Sequence, residues 1–220
     1  LYSVGGNNMS RKNIDKVAHL DASDTVKAYM AANLELEFGM ASLVRQLEEA
    51  GIADDTVIVI STDHYPYGLA PSDAWGNRDF LSEVYGNGWN NDRTRDHSAL
   101  IIWSGSIEGM NLQVDTPVYS LDILPTISNL FGVEYDSRLL VGQDVLDSSI
   151  EHIAILHNGS FITDKVRFNS ANGKVQYLVD EASVPAGYVD AVIQIVQNRF
   201  TVSTAILNND YYRIVLPPKQ

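Results

Sequence analysis

The 220-residue sequence predicts an α/β protein: a doubly wound α/β layer followed by a small antiparallel sheet carrying a helix. Three observations predict it. A stretch with helical apolar spacing over 24–50 runs into the β-branched run VIVI at 57–60. A second run of that kind, ALIIW at 99–103, follows after a long connection. Beyond residue 150, two strand-like segments flank Asn172-Gly173 and lead into a last helical stretch.

In chain order, residues 1–22 are polar and irregular and read as loop. Ser23 or Asp24 can cap the first helix by accepting an unpaired first-turn N–H. Val26, Met30, Leu34, Ala41, Val44 and Leu47 form its core stripe, and Glu48 and Glu49 lie on its wet side. Gly51 stops it. Asp54-Asp55 turn the chain into a strand at 56–62, whose nearly continuous apolar character predicts burial on both faces, as in a parallel sheet. The segment between the two strands is long enough to be functional or partly helical, and 78–85 can supply a short helix.

A helix follows at 118–131, with Ser120 as candidate cap, Pro125 near its first turn and Gly132 at its end. A strand is expected at 152–156. Strands at 161–168 and 174–179 should be joined by a type I′ turn at Asn172-Gly173. Val189, Val192, Ile193, Val196 and Phe200 mark a final helix over 187–207. A division near 145–151, at DSSIE, separates an α/β core (1–150) from a small sheet-and-helix unit (151–220).

Composition narrows the function classes. A net charge of −13 argues against nucleic-acid binding, which needs clustered Lys and Arg. Cysteine is absent, so these residues hold no disulfide, thiolate zinc site or cysteine nucleophile. No apolar run approaches the ~20 residues that span a bilayer. The opening LYSVGGNN resembles neither a natural start nor a targeting segment, so a piece of a longer chain is expected.

The chemistry gathers at VIVISTDHY, 57–65, where an apolar strand ends in Asp63-His64 and Pro66 follows. Neighbouring residues in a strand point to opposite faces, so the two can meet on one ion only if the backbone is already turning. Pro66 supports that, because it cannot donate to a sheet ladder. Sites in open α/β sheets lie beyond the carboxyl ends of strands. Carboxylate plus imidazole suits zinc or manganese, and magnesium or calcium less well. The dipeptide alone fits equally a carboxylate holding a loop amide beside a half-buried histidine.

Further candidates share the neighbourhood. His97, ahead of the second strand, can bind an anionic oxygen or sit on the surface. Arg78, Arg93 and Arg95 can meet a phosphate or sulfate bidentately, or be solvated. Tyr65, Tyr67, Trp75, Tyr85 and Trp89 can line a sugar or glycerol pocket, or pack the loop. His19, His152 and His157 have no ligand spacing and read as structural.

Segment order adds a resemblance. YMAANLELEFGMASLVRQLEEAGIADDTVIVISTDHYPYGL resembles the C-terminal part of the sulfatase and alkaline-phosphatase-like superfamily, in which a long helix, a G-L-x-D-N-T-type turn, a strand and an Asp-His pair recur in that order. SALIIW and SLDILPTISNLFGVEYDSRLLVGQDVL resemble its next strand, its D-x-x-P-T helix and its G-x-D turn. HNGSFITDKVRF looks most like the lipoteichoic acid synthase and phosphoglycerol transferase branch. The similarity covers roughly residues 25–180.

The resemblance implies an alkaline-phosphatase-like fold and a metal-dependent phosphoester or sulfoester enzyme. In the synthase branch the metal is held by an upstream acidic residue, the nucleophilic threonine and the Asp-His pair, which Asp63 and His64 match. The implied metal is manganese, with zinc, magnesium or calcium as alternatives. The implied substrate is a phospholipid- or polyol-derived phosphoester, and the implied partner is the N-terminal half of the same protein. The position of His97 is not a fixed histidine in this branch. Family members face the outside of the bacterial membrane, tethered by N-terminal helices that this chain does not contain. The chain by itself is therefore expected to be inactive, with Asp63 and His64 as metal ligands and no nucleophile. Two other readings stay open: a formylglycine-dependent sulfatase, and a non-catalytic surface domain that binds cell-wall polymer.

Overall fold

The first helix is α1, Asp24–Glu49, in a computed structural model that describes residues 12–73, 76–89 and 94–216. Ser23 is the cap: its hydroxyl accepts the Val26 N–H at 3.3 Å. Its own N–H is taken by the Glu83 carboxylate at 2.7 Å. At the other end Gly51 adopts a left-handed conformation, φ +68°, and the Ile52 N–H reaches back to Leu47 O. The expected core stripe is realised only in the first turns. Thr25, Val26, Ala28 and Ala31 are buried, whereas Met30 and Ala41 are exposed and Leu34, Val44 and Leu47 half-buried. Helical periodicity identifies an apolar face; what covers it depends on the neighbouring elements.

Contacts divide the chain into two units, Leu1–Asn111 and Leu112–Gln220. In the first, β1 (Ile58–Ser61) pairs with β2 (Leu100–Trp103). The pairing is antiparallel, Ile58 opposite Trp103 and Ser61 opposite Leu100, which corrects the expected parallel sheet. Burial on both faces is also corrected: Val59 and Ile101, on opposite faces of this two-stranded ribbon, are both exposed. The Gly105 N–H donates to Ala53 O and ties the exit of β2 to the approach to β1. The predicted 78–85 helix is the shorter α2, Leu81–Tyr85. Its Leu81 joins Val26, Leu69, Phe80 and Trp89 in the unit's core.

In the second unit a 3-10 turn, Ser120–Asp122, leads into α3, Ile123–Leu130, with Pro125 in the first turn and Gly132 (φ +62°) beyond the end. The start is held by Asp122, whose carboxylate accepts the Tyr119 N–H at 3.0 Å, rather than by Ser120. Four short antiparallel strands follow in the order β3 (Ala154–Ile155), β4 (Phe161–Ile162), β5 (Val166–Asn169), β6 (Lys174–Tyr177). The single strand expected at 161–168 is broken, because Thr163 Oγ1 accepts the N–H groups of Lys165 and Val166 and turns the chain. The expected two-residue turn is instead a four-residue loop, 170–173. Asn169 pairs with Lys174, Gly173 takes φ +69°, and Asn172 is not among the positive-φ residues that a type I′ turn requires.

α4, Tyr188–Asn208, packs Val192 and Val196 onto Ile153, Ile155, Phe161 and Val166, and α5 (Tyr211–Val215) follows. Tyr119 and Val141 pack against the same core, so the contacts place 112–150 with the small sheet, whereas the sequence reading placed the division near 150. No described helix is long and apolar enough to cross a membrane.

Candidate metal centre

β1 releases the chain at Ser61, and the backbone is already bending at Asp63 and His64. Pro66 then enters a 3-10 turn, Tyr67–Leu69, whose last side chain is fully buried and anchors the bend. The bend removes the strand alternation that would otherwise point the two side chains apart. Asp63 Oδ2 lies 3.3 Å from His64 Nε2, and both side chains are open to solvent.

His64 Nδ1 lies 2.8 Å from the Tyr65 carbonyl oxygen. A carbonyl only accepts, so Nδ1 carries the proton and donates it. In neutral imidazole Nε2 is then the unprotonated nitrogen, 3.3 Å from a carboxylate oxygen. An acceptor nitrogen beside a carboxylate oxygen is a donor set suited to a cation. The donor set, one imidazole nitrogen and one carboxylate oxygen, fits a divalent metal such as manganese or zinc. A backbone carbonyl on the far ring nitrogen is also the usual way a ligating histidine is oriented. Among the described residues no third His, Asp, Glu or Cys completes a cluster with this pair.

The opposite strand meets this end of the sheet. The register runs Ser61 to Leu100, and the hydroxyls of Thr62 and Ser98 touch beyond it. Tyr65 carries the Arg95 guanidinium on its ring, 4.9 Å from the ring centre, and the same guanidinium lies 5.6 Å from a ring centre of Trp89. Trp89 is buried, and its indole N–H donates to the Asp79 carboxylate at 2.9 Å.

The sulfatase family model matches residues 2–133, more than half of the chain and including the whole strand-end bend. The chain belongs to the sulfatase family. Curated relatives are lipoteichoic acid synthases: one from Staphylococcus saprophyticus, 28% identical over 69% of this chain and 22% of its own length; and one from Staphylococcus aureus, 24% identical over 88% of this chain and 29% of its own. The chain thus spans less than a third of the curated relatives it matches. The crystal structure of the lipoteichoic acid synthase LtaP from Listeria monocytogenes shares the fold, with a TM-score of 0.56 at 16% identity, over 86% of this chain and half of that one. The expected alkaline-phosphatase-like class and synthase-branch resemblance are borne out.

Within this sulfatase-family chain, the other site candidates separate. His97 is exposed at the end of the sheet that carries Asp63-His64, but does not join them in a three-ligand cluster. Arg78 is exposed ahead of α2 and takes no part in the stacking on Tyr65 and Trp89, whereas Arg95 does. Arg93 and Trp75 lie outside the described residues. Tyr67 is exposed and touches the His64 ring, with centroids 4.6 Å apart. Trp89 packs against Val26, Leu69 and Phe80 and Tyr85 borders that cluster, as loop packing requires; burial raises the Tyr85 phenol pKa. His19 and His157 are exposed, and His152 is buried with Nε2–H donated to Asp147 O at 3.1 Å.

Asp79 was not singled out by sequence reasoning. Its signal, a carboxylate ten residues before a tryptophan, is too common to find alone. The D-x-x-P-T and G-x-D segments form one joint, in which Asp122 accepts the Gln143 N–H and Thr126 the Val145 N–H.

Proposed function

We propose that this chain contributes two metal ligands, Asp63 and His64, to a phosphoester-transfer site of the phosphoglycerol transferase kind. The observation that carries it is the apposition of Asp63 Oδ2 and His64 Nε2 at 3.3 Å with His64 Nδ1 held by a carbonyl. The relatives are named lipoteichoic acid synthases, which favours the synthase branch over a formylglycine-dependent sulfatase.

In this reading Asp63 and His64 would hold a divalent cation, manganese first, which would supply charge neutralisation at the transferred phosphoryl group and a lowered pKa for an attacking hydroxyl. Asp63 supplies an anionic oxygen to it. His64 supplies Nε2, kept in the right tautomer by donation from Nδ1 to Tyr65. Neither is the nucleophile. The attacking threonine and a further acidic ligand belong to the N-terminal half of the family fold, which is this chain's partner. The substrate is a phosphodiester derived from a phospholipid or polyol. The working location is the outer face of a bacterial membrane, reached through N-terminal tethering helices.

The test has two parts. The 220-residue chain, with manganese and a simple aryl phosphodiester, should show no turnover. Joined to the polypeptide that supplies the threonine, it should release glycerol phosphate from a glycerophospholipid, and Asp63→Ala or His64→Ala should abolish the reaction. Turnover by the chain alone, lost on Asp63→Ala, would overturn the shared-site reading.

A further inference from the structure

A relay of side chains runs from the buried core to His64. The Asp79 carboxylate holds the indole N–H of Trp89 at 2.9 and 3.2 Å, and Trp89 itself is buried. Trp89 and Tyr65 both present ring faces to the Arg95 guanidinium, at 5.6 and 4.9 Å. Tyr65 in turn offers its carbonyl to His64 Nδ1 at 2.8 Å and to the Tyr67 N–H at 2.7 Å. The Arg95 side chain is 31% exposed and ion-paired with Asp96 at 3.4 Å.

The two ends of this relay differ in restraint. Trp89 and its neighbours Leu69, Phe80 and Leu81 are core residues, each at 9% exposure or less. Asp63 and His64 stand largely in solvent, with side chains 81% and 46% exposed. An exposed pair keeps a productive geometry only if something rigid holds its backbone. A guanidinium held over two aromatic faces is such a device, because its position is set by two rings at once.

We propose that Arg95 is a positioning residue for the Asp63-His64 pair. Stacked on Tyr65 and backed by Trp89, it fixes the peptide whose carbonyl orients the His64 ring. Arg95 touches neither metal nor substrate in this role. The inference rests on the metal-holding reading of Asp63 and His64, and it goes beyond that reading by naming what holds them.

Charge gives the test its sign. Arg95 is a cation near a cation site, so if charge alone mattered its removal would tighten metal binding. A positioning role has the opposite sign. The experiment is titration of the full chain with Mn²⁺ alone, following water-proton relaxation and paramagnetic broadening of the His64 imidazole signals. Arg95→Ala should weaken binding by about tenfold, the lower end of what loss of a ligand-orienting partner produces. Arg95→Lys, which keeps the charge and loses the plane, should weaken it in the same direction. Tyr65→Leu, which keeps the carbonyl and removes the ring, should match Arg95→Ala, and the double variant should be no worse than either.

Unchanged or tighter binding in Arg95→Ala would overturn the positioning role, as would additive losses in the double variant. Should Arg95→Ala not fold, Arg95→Lys and Tyr65→Leu decide in its place: wild-type affinity in both would overturn it. His64→Ala separates the two levels. If it leaves Mn²⁺ binding intact, the metal reading itself fails; if it abolishes binding while the Arg95 variants bind as wild type, only the positioning role fails.

Discussion

The carboxylate of Asp122 accepts the backbone N–H of Gln143 at 2.7 Å, across 21 positions of chain. Its other oxygen takes the Tyr119 N–H, so one buried side chain starts α3 and holds the 142–145 segment against it. Thr126 completes the joint: its hydroxyl donates to Asp122 O at 2.6 Å and accepts the Val145 N–H at 3.0 Å. Asp144 receives the Asn129 amide at 2.8 Å. Asp122, Thr126 and Asn129 of one segment and Gln143, Asp144 and Val145 of the next therefore form one structural unit.

Gly142 is the place in this joint where a side chain has no room. A Cβ there would collide with the carbonyl of Leu121 and lie 2.8 Å from Asp122 N. Backbone cannot rotate out of the way, so Gly142→Ala should destabilise by about 3 kcal/mol, the upper part of the overpacking range. Gly39 is the contrast, within α1 and with nothing within 4 Å of its Cβ position. Gly39→Ala should stabilise by about 0.5–1 kcal/mol. Urea unfolding of both variants checks the pair of signs.

Arg138 grips Asp136 with Nε and Nη2 at 2.9 and 2.7 Å and holds its carboxyl pKa down at about 2. A depressed folded pKa contributes stability that is complete above the unfolded value of 3.8 and is lost as pH falls through about 2. Carboxyl NMR titration should place Asp136 near 2, and Arg138→Ala should return it toward 3.8. A midpoint near 3.8 in the wild type would contradict the bidentate contact.

Two tyrosines titrate late. Burial first, then the Asp122 charge, pushes the Tyr119 phenol up to about 12. Burial does the same for Tyr188, whose hydroxyl meets Glu151 at 2.7 Å and Thr163 at 2.9 Å. A raised folded pKa gives stability that is complete below the unfolded value of 10.0 and is lost as pH rises through about 12. Ultraviolet titration should show two phenols ionising at about 12. Tyr119→Phe should flatten the loss of stability between pH 10.0 and about 12; an unchanged slope would argue against its burial.

The left-handed glycine of the β5–β6 loop gives a local test. Gly173 has φ +69°, and its N–H closes the loop on Asn169 O at 2.8 Å. Gly173→Ala meets no neighbour within 4 Å, so its whole effect is backbone strain of about 1–2 kcal/mol. Thermal unfolding measures it, and a neutral result would mean that the loop adopts another conformation.

Metal affinity for this chain should be weak, since two ligands leave most coordination positions to water. Calorimetric titration with manganese should give a shallow isotherm that Asp63→Ala removes. Tight binding unaffected by His64→Ala would count against the pair.

What the sequence by itself determined is local and periodic. The α1 and α4 spans followed from 3.6-residue apolar spacing, with a Ser cap and Gly51 bounding α1. The strand-end location of Asp63 and His64 followed from a β-branched run stopped before Pro66. These signals act within a few residues, and so a sequence carries them openly. Tertiary structure decided the rest. An apolar strand does not state its partner's direction, and β1 with β2 is antiparallel. Thr163 broke one expected strand through side-chain bonds that no period encodes. The tautomer of His64 depends on where the Tyr65 carbonyl lies, and the stacking of Arg95 on Tyr65 and Trp89 depends on a loop closing over 30 residues of chain. Long-range contacts are chosen by packing and hydrogen-bond satisfaction together, which makes them legible only once the chain is folded.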